Sequence, residues 1–345
     1  MLKKMLVQGF TVFKDEVFEF SPAVNIIVGE NSVGKTHLLK LAYALMTANQ
    51  DLGVKLALNN QDESIAGSVF SQKLLAVFRA KSLPELFNRY EMDAMAGLAF
   101  DNSGLNFKLS LKRFDDGAVV VTPSKPANHL ISKPIYFPTR ELLTIYPGFV
   151  ALYNARFLQF EETWRDTCDY LGVPLLKDSG MFAGLIAPLE AALGGKVVLE
   201  SNGEFYLQLP NGSKLSMPMM AEGYRKLAML AHLIANGMIA AQGCLFWDEP
   251  EANLNPRLIR LVARVIHDLG KNGVQIFIAS HSFFLLKELD LLARQDTLAQ
   301  RFIGLSRQGN DVLVEQADKL SGLEHVVALD EELAQYDREM DLAYG

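Results

Sequence analysis

The sequence predicts an α/β fold around a buried parallel sheet, and three apolar runs that end in polar residues predict it. Val24 to Val28 (Val-Asn-Ile-Ile-Val) reads as a short buried strand. It runs into Gly29-Glu30-Asn31-Ser32-Val33-Gly34-Lys35-Thr36 and then into a helical stretch from His37 to Met46. Gly243 to Pro250 sets Cys-Leu-Phe-Trp before Asp248 and Glu249. Ile276 to Ala279 ends in Ser280-His281-Ser282. Apolar strands alternating with helices point to a parallel sheet covered on both faces.

The octet Gly29 to Thr36 has the P-loop pattern of glycine, four residues, then Gly-Lys-Thr. Phosphate binding needs several backbone N–H groups converging on one point. Gly29 and Gly34 permit that nest because they lack a Cβ. Lys35 is the point charge for the β- and γ-phosphates, and the Thr36 hydroxyl is placed to hold Mg²⁺. Residues 29 to 36, together with His37, are the expected ATP-binding set, lying at a helix N-terminus.

Asp248 and Glu249 close an apolar strand, as in a Walker B motif. Taken alone, such a strand reads equally well as a capped edge strand, and it is the P-loop that gives it meaning. Asp248 is expected to bind Mg²⁺ directly or through water, and Glu249 to act as general base toward the attacking water. His281 is a candidate γ-phosphate sensor. The plainer reading of this segment is a helix N-cap supplied by Ser280 or Ser282.

The other elements follow from periodicity. Met5 to Phe13 and Glu16 to Phe20 read as strands around Lys14-Asp15. Residues 37–100 read as mainly helical, including Ser71 to Ala80 and Leu83 to Ala96. Gly104 to Phe114 and Ala118 to Thr122 alternate around Asp115-Asp116-Gly117 as a hairpin. Lys133 to Phe137 is a strand, and Leu142 to Leu171 reads as helical after Pro147-Gly148. Lys196 to Glu200 and Glu204 to Leu209 pair across Ser201-Asn202-Gly203. A long helix follows Glu222, and strand and helix then alternate over 243–247, 257–269, 274–279 and 283–294. A final hairpin spans Phe302 to Glu315, and an acidic helical tail follows Gly322.

The order of these parts resembles ABC-type ATPases. A P-loop comes first, then a helix opening at Ala221-Glu222-Gly223, then Asp248-Glu249-Pro250 and a strand ending in Ser280-His281. In detail the chain is similar to the RecF, SMC and OLD group. Gly9-Phe10-Thr11-Val12-Phe13-Lys14 resembles that group's start, Phe137 to Leu142 its Q-loop equivalent, and Glu251 to Pro256 its D-loop region. The resemblance implies an ABC-type P-loop ATPase head with a mixed sheet, antiparallel hairpins and an inserted helical lobe. The ATPase core would comprise 1–50 and 215–320, the lobe 51–214 and the acidic tail 321–345. It also implies ATP sandwiched between two heads, with Gly223 facing the partner's nucleotide. The heads would form a homodimer or higher oligomer that controls an effector, a nuclease or toxin supplied in trans, as in phage defence. Rival readings are a RecF-like DNA repair ATPase and a low-turnover nucleotide-dependent scaffold. Two departures stand out. Ala221 occupies the usual signature serine position, and Thr139, Arg140 or Glu141 stands where a glutamine is usual.

Composition agrees with a soluble globular chain. Of 345 residues, 50% are hydrophobic and 21% charged, with net charge −7. That balance argues against unspecific nucleic-acid binding but leaves DNA open through local basic faces. Two such faces are Arg257, Arg260 and Arg264 at helical spacing, and Lys108 and Lys112 on one strand face. Each reads as well as a solvated surface. No apolar run reaches membrane-spanning length. Cys168 and Cys244 lack metal-type spacing, so reduced thiols and a cytoplasmic protein are expected. The mean hydropathy of +0.12 suggests surface covered by a partner.

Overall fold

Strands β1 (Leu2–Phe10), β2 (Phe13–Glu19) and β3 (Val24–Gly29) lead into helices α1 (Lys35–Leu58) and α2 (Ala66–Phe78). Strands β4 (Asp93–Phe100), β5 (Phe107–Arg113), β6 (Val119–Pro123) and β7 (Ile135–Phe137) follow. Next come helices α3 (Tyr146–Asn154), α4 (Glu162–Leu171) and α5 (Ala183–Leu193). A small sheet of β8 (Lys196–Leu199), β9 (Phe205–Gln208) and β10 (Lys214–Ser216) precedes α6 (Glu222–Ala235). After it lie β11 (Cys244–Asp248), α7 (Pro256–Lys271), β12 (Gln275–Ser280) and α8 (Phe283–Asp296). The last elements are β13 (Gln300–Gln308), β14 (Asp311–Ala317) and α9 (Val327–Tyr344). This computed structural model describes residues 1–58, 65–89, 91–124, 133–156, 158–177, 180–239 and 243–344.

The central sheet has six strands in the order β14-β13-β3-β12-β11-β7, parallel except for β14. Strands β3, β12, β11 and β7 are buried on both sides, which is why they read as unbroken apolar runs. Alternate residues divide between two cores. Ile26, Leu245, Trp247, Ile276 and Ile278 face the layer containing α5, α6 and α7. Ile27, Phe246, Phe277 and Tyr136 face α1 and the second sheet. On that side Phe246 stacks on Phe277 at 4.8 Å and Tyr43 of α1 meets Tyr136 edge-on at 5.4 Å.

The second sheet is antiparallel, ordered β2-β1-β4-β5-β6. Residues on both sides of the expected 50/51 boundary therefore share one sheet. Three expectations are corrected in this region. The first hairpin turns at Thr11-Val12, not at Lys14-Asp15, because Phe10 pairs with Phe13 and the Thr11 N–H donates to Leu86 O at 2.8 Å. Residues 83–96 are a short 3-10 turn and the start of β4 rather than a helix. Ala94, Ala96, Leu98 and Phe100 are buried at period two, and pairing with β1 and β5 overrides the helical preference of Ala, Met and Leu. The 142–171 stretch is two helices, the first broken at Pro147-Gly148. Helix α5 and strand β10 add to what the pattern suggested. The part of the helical reading over 59–64 lies outside the described residues.

Helices α1, α2 and α4 are joined by buried charge. Lys73, 6% exposed, lies 2.9 Å from Glu162, 3.1 Å from Asp51 and 3.9 Å from Asp166. Asp166 also accepts from the Tyr43 hydroxyl at 2.7 Å and pairs with Arg165. Removing one partner of such a network leaves uncompensated charge in low dielectric. Lys73→Ala is expected to destabilise the fold by about 3 kcal/mol, read as a lower urea midpoint. An unchanged midpoint would show that the network contributes nothing to stability.

Candidate functional site

The C-terminal edge of the parallel strands gathers the sequence-predicted residues, as α/β sheets place their ligands. In register, Val28 pairs with Ser280, Ala279 with Asp248, and Trp247 with Phe137. The P-loop, the Asp-Glu pair, the Ser-His turn and the segment after Phe137 thus open on one edge.

The loop between β3 and α1 is shaped for an anion. Gly29, Ser32 and Gly34 have φ of 156°, 67° and 100°, which turns successive N–H groups toward one centre. A Cβ on Gly34 would lie 2.5 Å from Val12 and 2.8 Å from the Phe13 ring, so the turn between β1 and β2 braces the loop and only glycine fits. The first intrahelical bond of α1 runs from Leu38 N to Gly34 O at 2.9 Å. The amides of Lys35, Thr36 and His37 are left outside the helix ladder at its positive end. Glu30, Asn31 and Ser32 are exposed at the rim, whereas Val33 is core and offers only its backbone. The His37 ring packs edge-on to Phe78 at 5.7 Å, and burial lowers its pKa. Its part in the loop is limited to the backbone amide.

Lys35 is buried and folded back, donating to Gly29 O at 2.7 Å and Glu30 O at 2.6 Å. Burial lowers its pKa, while Glu249 and Asp248 pull the other way. The Thr36 hydroxyl lies 3.0 and 3.1 Å from the two Asp248 carboxylate oxygens. Burial raises the Asp248 pKa to about 6, with the charge of Glu249 adding to it and the Thr36 hydrogen bond opposing it. An all-oxygen set of hydroxyl and carboxylate suits Mg²⁺, and a cation here would relieve the buried carboxylate. These residues fit the ion.

Glu249 stands just past β11 with φ of 49°, unusual for a side-chain-bearing residue, and its N–H donates to Ala279 O at 2.9 Å. Its carboxylate lies 3.4 Å from His281 Nδ1. His281 is half exposed and also lies 3.7 Å from Glu251. The buried Glu251 carboxylate pins this turn, accepting from Ser280 Oγ at 2.7 Å, His281 N at 3.1 Å and Ser282 N at 3.2 Å. Of the two serines, Ser282 caps α8, accepting from Leu285 N at 3.3 Å.

The signature segment differs from its expected arrangement. Gly223 is buried in the first turn of α6, and a Cβ there would lie 2.5 Å from Asn253 O. Its smallness serves the approach of α6 to the 249–254 turns. The exposed residues at this helix start are Met219, Ala221 and Tyr224. Among the Q-loop alternatives, Glu141 is engaged by Arg225 Nε at 2.9 Å and by the Thr144 hydroxyl at 2.7 Å. Arg140 is exposed. Both basic faces are real. Arg257, Arg260 and Arg264 are exposed along α7, and Lys108 and Lys112 alternate with buried Phe107, Leu109 and Leu111.

Sequence reading missed three features. Tyr136 is wholly buried beside Asp248. Lys40 pairs with Glu161 at 2.5 Å, one turn beyond Thr36. Lys226, 2% exposed, donates to the backbone carbonyl of Glu249 at 2.6 Å. A signal for Lys226 was present, since it falls in the stripe Gly223, Lys226, Leu227, Leu230, which has the spacing of a buried helix face.

Residues 123–287 match a protein family described as "AAA domain, putative AbiEii toxin, Type IV TA system". That segment holds α6, Asp248, Glu249 and His281. None of the curated proteins matches the chain. Among solved structures, the SMC head domain from Thermotoga maritima is similar at TM-score 0.51 and 14% identity, covering 92% of this chain and 98% of that one. An SMC head bound to the C-terminal winged-helix domain of ScpA is similar at 0.58 and 16%, covering 93% and 99%. The SMC head from Pyrococcus furiosus with an extended coiled coil, bound to the C-terminal domain of ScpA, is similar at 0.54 and 14%, covering 98% and 99%. Among the described residues no helix is long and apolar enough to cross a membrane. The chain thus shares the fold of these SMC heads, and its segment 123–287 is similar to the AAA family named above.

Proposed function

We propose that the chain binds ATP with Mg²⁺, hydrolyses it, and acts as a nucleotide-driven clamp that self-associates and controls a separate protein. The observation that carries this reading is the convergence at one sheet edge of Lys35, the Thr36–Asp248 pair and the Glu249–His281 pair. Lys35 exchanges the Gly29 and Glu30 carbonyls for the β- and γ-phosphates. Thr36 and Asp248 hold Mg²⁺, which neutralises phosphate charge when bound. Glu249 accepts the proton of the attacking water, and His281, within reach of Glu249, donates to the γ-phosphate or orients that water. Support for a protein partner comes from two of the SMC head structures, which were solved bound to ScpA domains. The effector is proposed to be a nuclease or toxin, with phage defence as the setting. That step rests on fold-level analogy and on the toxin named in the family description. One observation favours the scaffold reading instead. Ala221 occupies the N-cap of α6 and gives it no side-chain hydrogen bond, so a hydroxyl for the facing nucleotide is missing.

Lys35→Ala is expected to abolish binding of a fluorescent ATP analogue. Glu249→Gln is expected to keep that binding and cut phosphate release by ~10²–10⁴. Equal affinity in the first variant would sink the nucleotide site. Full turnover in the second would remove the general base. Steady turnover near zero in the wild type, with tight ATP binding, would favour the scaffold.

The Asp248 carboxyl, with its pKa raised to about 6, also makes a pH prediction. Below that value it is protonated and binds Mg²⁺ poorly, so Mg²⁺-dependent turnover falls as pH drops through about 6. Added Mg²⁺ moves the midpoint lower, because metal competes with proton. Metal-free stability takes the opposite course. A raised carboxyl pKa favours the fold at acid pH, and that contribution is lost as pH rises from the ordinary carboxylate range through about 6. A turnover profile flat across this range would exclude Asp248 as the titrating metal ligand.

Self-association is expected to need the exposed start of α6. Glu249→Gln protein with ATP should sediment as a dimer or larger, and Tyr224→Glu should prevent this while ATP binding persists. An oligomer indifferent to both nucleotide and Tyr224→Glu would exclude a sandwich through this helix.

A further inference from the structure

We infer that Lys226 is a positioning residue, holding the backbone of Glu249 and linking the seating of α6 to the direction of the Glu249 carboxylate. The inference rests on the ATPase reading above and assigns a part to a residue outside the motifs. Lys226 is 2% exposed, and a buried ammonium is retained only where something compensates it. Its nitrogen lies 2.6 Å from the Glu249 carbonyl oxygen and 3.5 Å from that of Ala252. Among the described residues no carboxylate lies within ion-pair distance of it. Its directed bonds therefore go to the backbone of the catalytic turn. Glu251, Glu249, Asp248 and Glu222 surround it at longer range, and they offset part of a burial that brings its pKa down to about 8.

What Lys226 grips is a strained turn. Glu249 sits at φ of 49° and Asn253 at 63°, where a Cβ is disfavoured. The Glu249 carbonyl accepts both the Lys226 ammonium and the Ala252 N–H, the latter at 3.1 Å. The same helix face presses Gly223 against Asn253 O, so α6 meets the turn at two points one helical turn apart. The Glu249 N–H is fixed on Ala279 O and its carbonyl on Lys226 and Ala252, and these two anchors together set the φ and ψ from which its side chain projects. A shift of α6 is thereby delivered to the carboxylate next to His281. Because the start of α6 carries the exposed Met219, Ala221 and Tyr224, whatever docks there acts on Glu249 through Lys226.

The test compares wild type, Lys226→Met and Lys226→Arg with and without Glu249→Gln. Three quantities are read: affinity for a fluorescent ATP analogue, kcat and KM for ATP, and hydrogen exchange of the 249–254 amides. A misplacement of about 1 Å costs about 10² in rate. Lys226→Met should therefore lower kcat by about 10- to 100-fold, leave KM and affinity within about threefold, and speed exchange at Ala252. Lys226→Arg should recover most of the rate and the protection. In the Glu249→Gln background Lys226→Met should cost little more, since both act through one group. Loss of ATP affinity in step with rate would show a structural role and overturn the inference. So would wild-type kcat, or unchanged exchange, in Lys226→Met. Absence of wild-type turnover with exchange still Lys226-dependent would refute the hydrolysis reading and leave the hold on Glu249 standing.

Discussion

Thr36 and Asp248 are 212 residues apart and lie within 3.1 Å because β3, β12 and β11 pair parallel and in register. Slipping any of these strands by one residue would exchange its two faces and send every side chain into the wrong core. The double burial of the sheet therefore sets the register, and the register sets the site. Ile26 and Ile27 are adjacent in sequence and belong to different cores. That division leaves no freedom for Gly29, Asp248 or Ser280 to lie anywhere but the same edge.

Around that edge the protein accumulates charge in a place that disfavours it. Lys35, Lys226, Asp248 and Glu251 are all nearly inaccessible to water. Each ammonium is turned toward backbone carbonyls, while Asp248 is met by a hydroxyl and Glu251 by a hydroxyl and two amides. Such an arrangement costs stability on its own. It is consistent with a centre completed by a phosphate and a cation, whose charges answer Lys35 and Asp248 in turn. The brace behind the loop, from Val12 and Phe13 onto Gly34, and the network of Lys73, Glu162 and Asp166 hold the surrounding helices against that strain.

The second sheet shows where local pattern stops informing. Asp93 to Phe100 is rich in Ala, Met and Leu and reads as helix, yet it fills the gap between β1 and β5. Its period-two burial exists only once those neighbours are present. Lys226 shows the same limit at the level of one side chain. Its place on an apolar helix face was visible in the spacing, but its target, a carbonyl 23 residues later, depends on how α6 seats.

The sequence by itself determined the local pattern of the Gly29–Thr36 loop, the Asp248-Glu249 pair and the Ser280-His281-Ser282 turn. Those are local patterns, in which a short strand, its terminal polar residues and the following helix are contiguous in the chain. It also determined that the central strands are buried on both faces, since unbroken apolar runs fit nowhere else. Tertiary structure decided what contiguity cannot carry. It put Gly223 against Asn253 instead of in the open, gave Glu141 to Arg225, turned His37 onto Phe78, and set Lys226 beneath Glu249. Each of these depends on the packing of one element against another distant in sequence, and a side chain's partner is chosen by that packing rather than by its neighbours along the chain.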